Sequence, residues 1–263
     1  MRLSLRKYLV LPLSLLTAAA LAGCGAHAAP NQPIPNPSNP ASPPPSGGIP
    51  TNATTVPDIQ KLPGWGSCTA CTGSAFARFA MNRGITSPSL SGASAQFALL
   101  SGTRPFGGAL WFNFLTSDAG ATHLVLDLYF YEHNPSAPQA LEFNVSQSTG
   151  GNRYDFATQC DLVNQRAWLV WNPTKGGWIS TGVPCVQPPP DTWNHLIWEF
   201  EHDSSGQAVF KAVTLNGNRS EVNMGMAHTK AAGSGIDFGF QLDANETATP
   251  FPVWLDRINV TYW

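Results

Sequence analysis

The sequence predicts an all-β domain built as a two-sheet antiparallel β-sandwich. Beyond residue 87, apolar and aromatic residues alternate with polar ones at a period of two, Gly, Pro, Asn and Asp break the runs, and no helical periodicity is sustained. The predicted strands are residues 95–100, 108–115, 122–132, 139–146, 153–160, 167–171, 192–202, 207–215, 220–224, 236–243 and 252–262. So many short strands without an internal repeat favour a sandwich over a propeller.

The N-terminus has the layout of an export signal. Three basic residues, Arg2, Arg6 and Lys7, precede an apolar run over residues 8–22 that is too short to span a bilayer comfortably. We therefore predict that the protein is exported.

The apolar run ends in Leu21-Ala22-Gly23-Cys24, which resembles the bacterial lipobox. That resemblance implies a lipoprotein signal peptide over residues 1–23 and a lipid on Cys24. An ordinary signal peptide cleaved near Ala29 is the alternative. Gly25 follows the cysteine where an inner-membrane retention signal would place aspartate, which favours an outer-membrane or surface location.

Residues 24–57 consist largely of Pro, Ser, Asn and Gly, so they bury too little apolar surface to offset their ordering entropy and are predicted to be a solvated linker. Residues 58–263 then form one domain. Charged residues make up 11% of the chain, the net charge is -2, and no basic run occurs. Nucleic acid is therefore not an expected partner, and the membrane is contacted only through the lipid.

Four cysteines remain in an oxidising compartment, and an even set predicts two disulfides. Of the three possible pairings we favour Cys68–Cys71, which are already close in sequence, and Cys160–Cys185, which would close a Trp-rich hairpin. A redox or zinc site at Cys68 and Cys71 is the alternative. The flanking Gly-Trp-Gly-Ser and Thr-Gly-Ser do not provide the strand and helix of a thioredoxin-like site.

Strand alternation assigns side chains to faces. It predicts Leu124, Leu126, Leu128, Phe130, Leu141, Phe143, Val145, Ile236, Phe238, Phe240 and Leu242 as core. The opposite faces are acidic, amide-rich and aromatic, as sugar-binding sandwiches require. We predict one shared glycan-binding groove formed by Asp127, Tyr129, Tyr131, Glu142, Asn144, Gln147, Trp171, Trp178, Gln241 and Asp243.

The tryptophans are candidates because flat aromatic faces stack on sugar rings. Trp168, Trp171 and Trp178 lie between Cys160 and Cys185. Trp168 and Trp171 are three residues apart and so face opposite sides of a strand, which leaves one of them in the core; packing of all three is the alternative.

The strand order and the closing strand, Val-Trp-Leu-Asp-Arg-Ile-Asn-Val-Thr-Tyr over residues 253–262, resemble laminarinase-type glucanases of the concanavalin A-like superfamily. The resemblance covers residues 87–263 and implies a jelly-roll sandwich that handles carbohydrate.

Those glucanases carry Glu-x-Asp-x-x-Glu on one strand, where a bulge turns the last glutamate onto the face of the first two. Here the corresponding run is Glu-Phe-Asn-Val-Ser-Gln over residues 142–147. The resemblance places Glu142 at the nucleophile position, Asn144 at the aspartate and Gln147 at the general acid. An amide cannot deliver a proton, so such a site would bind but hydrolyse poorly. A solvated strand face is the alternative.

The function we predict is a surface-tethered, lectin-like domain that binds a polysaccharide or glycan and needs no cofactor. One rival is a divergent glycoside hydrolase that uses Glu142 with Glu199 or Glu201. A second rival is a polysaccharide lyase, and a third is a structural envelope or adhesion protein. The lyase would combine Tyr129, Tyr131, His195, Arg153 and Asn144. The superfamily resemblance also implies a possible structural calcium at Asp256, for which an ion pair with Arg257 is the alternative.

Overall fold

The computed structural model describes residues 48–117 and 120–263. The signal peptide, Cys24 and most of the predicted linker therefore lie outside the described residues. The strands are β1 Thr54–Val56, β2 Gly66–Cys68, β3 Phe79–Ile85, β4 Ser94–Leu99, β5 Gly108–Thr116, β6 His123–Glu132, β7 Pro138–Thr149, β8 Asn152–Asp161, β9 Ala167–Asn172, β10 Gly177–Pro184, β11 Thr192–His202, β12 Gln207–Leu215, β13 Asn218–Ala227, β14 Thr229–Lys230, β15 Gly235–Ala244 and β16 Phe251–Tyr262.

These strands form two antiparallel sheets. Sheet I has the order β13-β12-β11-β6-β16-β4-β3, with β1 beside β16, and sheet II has the order β10-β9-β8-β7-β15-β5-β2, with β14 beside β8. The chain crosses repeatedly from one sheet to the other, so that strands distant in sequence become neighbours. This is an all-β, two-sheet antiparallel sandwich, as the sequence predicted.

Aromatic side chains fill the space between the sheets. Phe97 of sheet I contacts Trp111 and Phe240 of sheet II with ring centroids 5.2 and 5.0 Å apart. Trp168 of sheet II meets Trp198 of sheet I edge to face at 5.5 Å. Such rings bury large apolar areas in directional contacts. All the residues that alternation predicted as core are buried.

The strands that the sequence analysis missed lie mainly at edges. β3 and β10 are edge strands of sheets I and II, and their mixed exposure blurs the period-two pattern. β1 also corrects the predicted linker boundary, because Thr54 and Thr55 pair with Tyr262 and Thr261 of β16. The ordered domain thus begins before residue 58.

Both predicted disulfides are present, Cys68–Cys71 and Cys160–Cys185. The second connects the end of β8 to the residue that follows β10, so it ties the outer strands of sheet II together. Within residues 48–117 and 120–263, no helix has the length and apolar character that are needed to span a membrane.

One buried acid at the end of β6 has no hydrogen-bond partner among the described residues. Glu132 is 1% exposed, and both of its carboxylate oxygens lack a donor. Burial raises the pKa of Glu132 from 4.5 to about 8, because a desolvated carboxylate is costly without hydrogen bonds. Glu132 is therefore protonated in the folded protein at neutral pH.

Replacing Glu132 with glutamine should remove a pH-dependent loss of stability. The unfolded chain ionises near pH 4.5 and the folded chain only near pH 8, so the wild-type free energy of unfolding falls as the pH rises through that window. Urea titrations at pH 5 and pH 8 should show that Glu132→Gln gains on the wild type by about 2–4 kcal/mol at the higher pH. An equal difference at both pH values would contradict the assignment.

Candidate ligand-binding cleft

The outer face of sheet II carries a cleft of about 600 Å³. The described residues that line it are Cys71, Thr72, Leu110, Phe112, Glu142, Asn144, Ser146, Arg153, Asp155, Ala157, Trp171, Trp178, Asp237, Phe238, Gly239 and Gln241. They come from β5, β15, β7, β8, β9 and β10, and from the segment after β2. The cleft therefore runs across the sheet.

The middle of the cleft has a floor of small side chains. Gly239, Asn144 and Ala157 lie opposite one another on β15, β7 and β8. A side chain of ordinary size at Gly239 would begin to fill this space, since a Cβ there would lie 3.4 Å from Leu110 and 3.5 Å from Asn144. The side chains of the floor are thus short, and the Asn144 amide lies at its centre.

Aromatic rings border the floor at both ends. Phe112 of β5 pairs with Gly239 and is 44% exposed. At the other end, Trp171 of β9 pairs with Trp178 of β10, and their rings meet edge to face at 5.3 Å. Trp168 is 1% exposed and belongs to the core, as the opposite parity of Trp168 and Trp171 predicted. The cleft is therefore flanked by flat apolar faces.

An ionic cluster lies along one side. The Arg153 guanidinium donates to Asp155 at 2.6 Å and approaches Asp237 at 3.4 Å. Ser146 donates its hydroxyl to the same Asp155 oxygen at 3.0 Å. One cation is thus shared by two carboxylates, and these contacts hold the three side chains in position at the cleft.

A buried pair of carboxyl groups lies on the other side. The Gln241 amide donates to Glu142 at 3.0 Å and to the two oxygens of Asp243 at 3.2 and 3.1 Å. Ser74 donates to Asp243 at 3.1 Å. Burial and the neighbouring Asp243 charge raise the pKa of Glu142, and burial raises the pKa of Asp243. The Gln241 amide thus bridges two buried carboxyl groups, both of which have a raised pKa.

Three of the predicted groove residues lie elsewhere. Asp127, Tyr129 and Tyr131 belong to β6 and point outward from sheet I, whereas Glu142 and Asp243 point outward from sheet II. The single shared groove is therefore wrong. Tyr129 stacks on His195 with centroids 4.2 Å apart, and Asp127 accepts a hydrogen bond from His195 at 2.7 Å.

Gln147 also lies away from the cleft. β7 pairs with β15 and β8 without a bulge near this residue, so Gln147 points inward, is fully buried and donates to the Ala121 carbonyl at 2.7 Å. The bulge that the glucanase pattern requires is absent, and Ser146 follows Glu142 and Asn144 along the outer face instead. The prediction that Gln147 takes the general-acid position on the outer face is therefore wrong.

Glu199 and Glu201 lie on β11 in sheet I and cannot act with Glu142 on one substrate. Glu199 accepts from Arg219 at 2.8 Å, and Glu201 lies 3.4 Å from Lys211. Both acids are thus engaged by cations on the far side of the sandwich.

Asp256 is fully buried and accepts hydrogen bonds through both carboxylate oxygens. Its donors are Gln60 at 3.1 Å, the Ser89 hydroxyl at 2.7 Å, the Leu90 amide at 2.6 Å, the Ser91 amide and hydroxyl at 3.0 and 2.6 Å, and the Arg257 amide at 2.8 Å. Burial favours the neutral acid, but the donors outweigh it and lower the pKa of Asp256.

Asp256 thereby connects the closing strand to the segments before β4. Donors occupy the positions where a calcium ion would need access to the lone pairs. Among the described residues, no three His, Cys, Asp or Glu side chains gather as metal ligands. Calcium at Asp256 is thus an untested prediction that its hydrogen bonds do not favour.

The sequence analysis did not select Ser146, Asp155 or Phe112 for the site. Asp155 lies on β8 with Arg153, and Phe112 lies on β5; both follow the alternation of strands that were predicted. The available signal was strand parity, but parity alone does not reveal that β5, β7, β8 and β15 are neighbours in one sheet.

No family model matches the chain, and no curated protein matches it. Among solved structures, a carbohydrate esterase from the Shiga toxin-encoding bacteriophage phi24B is 14% identical, covers 80% of this chain and 99% of its own, and has a TM-score of 0.48. A family 11 carbohydrate-binding module from Clostridium thermocellum is 11% identical over 79% and 94%, with a TM-score of 0.41. The alginate lyase vAL-1 from Chlorella virus is 8% identical over 73% and 91%, with a TM-score of 0.40.

Two substitutions at Glu142 should separate its hydrogen bonding from its charge. Glu142→Gln keeps the shape of the side chain and an oxygen that accepts from Gln241, and it removes an ionisable group whose pKa burial raises, so the free energy of unfolding should stay equal or rise at pH 7. Glu142→Ala removes that acceptor and should cost about 1–3 kcal/mol. Denaturant unfolding of both variants measures this. A glutamine variant as unstable as the alanine variant would contradict the raised pKa of Glu142.

Proposed function

We propose that this protein is a non-catalytic carbohydrate-binding lipoprotein that holds a polysaccharide chain in the cleft of sheet II. The observation that carries the proposal is the combination of a floor of small residues with aromatic rings at both ends, the exposed Phe112 at one end and the half-buried Trp171 and Trp178 at the other. A pyranose chain presents flat C–H faces that stack on Trp171, Trp178 and Phe112. An extended polysaccharide chain is also long enough to occupy a cleft that crosses several strands.

The polar groups suit the edges of sugar rings. Asn144 at the centre can donate and accept, Arg153 donates, and Asp155 and Asp237 accept hydrogen bonds from hydroxyl groups. Because these side chains already bind one another, they are held in position before a ligand arrives, and less side-chain entropy is lost on binding.

The arrangement of acids supports binding rather than hydrolysis. Glycosidases hold two carboxyl groups about 5–9.5 Å apart across the scissile bond. The Gln241 amide lies between Glu142 and Asp243 and donates to both, so it occupies the place that a glycosidic oxygen would need between these two acids. Asp155 and Asp237 both engage Arg153. The carboxyl groups on both sides of the floor are thus each engaged by a neighbouring side chain, which favours binding over acid and nucleophile roles.

A lyase is also disfavoured by the position of its candidate base. No Tyr or His is among the described residues that line the cleft. Tyr129, Tyr131 and His195 lie on sheet I, whereas Arg153 and Asn144 lie on sheet II. The base and the neutralising groups would thus be on opposite sides of the sandwich.

We further propose that Cys24 carries a lipid and that the proline-rich segment holds the domain away from an outer membrane or cell surface. The support is the lipobox-like run before Cys24 together with the two disulfides of the domain, which suit an oxidising compartment. A tether lets the cleft reach a polymer outside the membrane.

The tryptophan rings are expected to carry much of the affinity. After a polysaccharide panel has identified a retained polymer, Trp171→Ala and Trp178→Ala should each weaken its binding about tenfold, as measured by calorimetry or affinity electrophoresis. Trp193→Ala on sheet I is the matched control and should bind as the wild type does. Wild type retained by no polymer would favour a structural role, and release of reducing or unsaturated sugars would favour an enzyme.

Cys24→Ser tests the anchor. The wild type should sediment with membranes and incorporate labelled fatty acid, whereas the variant should lose the label and become soluble after export. A Cys68→Ser/Cys71→Ser double variant is the control for cysteine replacement: it loses the Cys68–Cys71 disulfide but keeps Cys24, so it should still incorporate the label. A variant that still carries fatty acid would overturn the assignment of the lipid to Cys24.

A further inference from the structure

Resting on the proposed function, we propose that the cleft selects its glycan by charge: it accepts chains without carboxylate groups, gains affinity from an amino group, and rejects uronic acid polymers. The basis is the set of ionisable side chains around the floor. They come from β7, β8 and β15, and they are not balanced in sign.

Acids outnumber cations in the lining. Glu142, Asp155 and Asp237 are its carboxyl groups, and Arg153 is its one cation among the described residues. Asp243 lies behind Glu142, bridged to it by Gln241. Asp155 and Asp237 together carry two negative charges and Arg153 carries one positive charge, so this side of the cleft has a net negative charge before Glu142 and Asp243 are counted.

The single guanidinium already serves two carboxylates. Arg153 lies 2.6 Å from Asp155 and 3.4 Å from Asp237. A ligand carboxylate that binds the remaining N–H groups of Arg153 would lie close to both aspartates, which are like charges at short range. A uronic acid is therefore repelled at the position where a sugar hydroxyl group can donate hydrogen bonds.

A protonated amino group is instead attracted to the carboxylates of the cleft. Asp155 and Asp237 have oxygens beyond those bound to Arg153, and a protonated amine can donate to them. The Trp171 and Trp178 rings offer a further attraction, because a cation over an indole face is stabilised by the ring quadrupole. Both effects weaken as ionic strength rises.

The test compares three matched classes of polymer on the purified domain: uncharged glucans, mannans and xylans; chitosan as the amino-bearing polymer; and alginate, polygalacturonate and hyaluronan as the anionic ones. We expect retention by uncharged or amino-bearing polymers and none by anionic ones. Added salt should weaken the binding of chitosan and leave that of uncharged polymers almost unchanged.

An Asp155→Asn/Asp237→Asn double variant tests the cause. It leaves Arg153 without its two carboxylates while keeping the shapes of the side chains, so binding of polygalacturonate should rise at least tenfold over the wild type. Glu221→Gln, an exposed carboxylate on sheet I, is the matched control and should not change it. If the double variant unfolds, Asp237→Asn alone should give a smaller gain in the same direction.

The outcomes separate the two proposals. Tight binding of an anionic polymer by the wild type, or no gain in the aspartate variants, overturns the charge selection and leaves carbohydrate binding in place. Binding of no polymer by the wild type overturns carbohydrate binding itself. Binding of uncharged or amino-bearing polymers only, with the gain in the variants, supports both.

Discussion

The outward-facing chemistry of this domain depends on the unbroken pairing of β7 with both of its neighbours. Each residue from 141 to 148 has a partner on β15 and another on β8, so alternate side chains stay on one face. A slip of one residue would bury Asn144 and expose Phe143. Phe143 packs against Phe130 across the core and against Phe240 on the neighbouring strand β15, and these contacts oppose such a slip.

Four of the buried acids avoid an isolated charge in three different ways. Asp256 receives hydrogen bonds at both oxygens and stays ionised. Glu142 and Asp243 both accept from the Gln241 amide, and burial raises the pKa of each. The Glu132 carboxyl group has no hydrogen-bond donor among the described residues and keeps its own proton at neutral pH. In each case an isolated charge in a low-dielectric interior is avoided. Of these acids, only the Glu142–Asp243 pair borders the cleft on the outer face of sheet II.

Most central strands were predictable from sequence because one of their faces is buried and the other is not. Thr192–His202 and Gln207–Leu215 match the prediction at both ends. β10 escaped because both of its faces are partly exposed, and it includes Gly182 and ends at Pro184. In the site, Glu142, Asn144 and Gln241 were predictable as outward-facing residues. The direction of Gln147 was not predictable in this way. Its assignment to the outer face required the bulge of the glucanase pattern, and β7 pairs without a bulge at this residue.

By itself, the sequence determined which side chains within a strand share a face, since the period of two is a local property of extended backbone. It also determined that the domain is all-β and has an even set of cysteines outside the signal region. Only the tertiary structure decided which sheet each strand joined. β6 and β7 follow one another in the chain yet belong to opposite sheets, so Tyr129 and Glu142 point away from each other. The partner of a strand is chosen by contacts between distant residues, which no local pattern records.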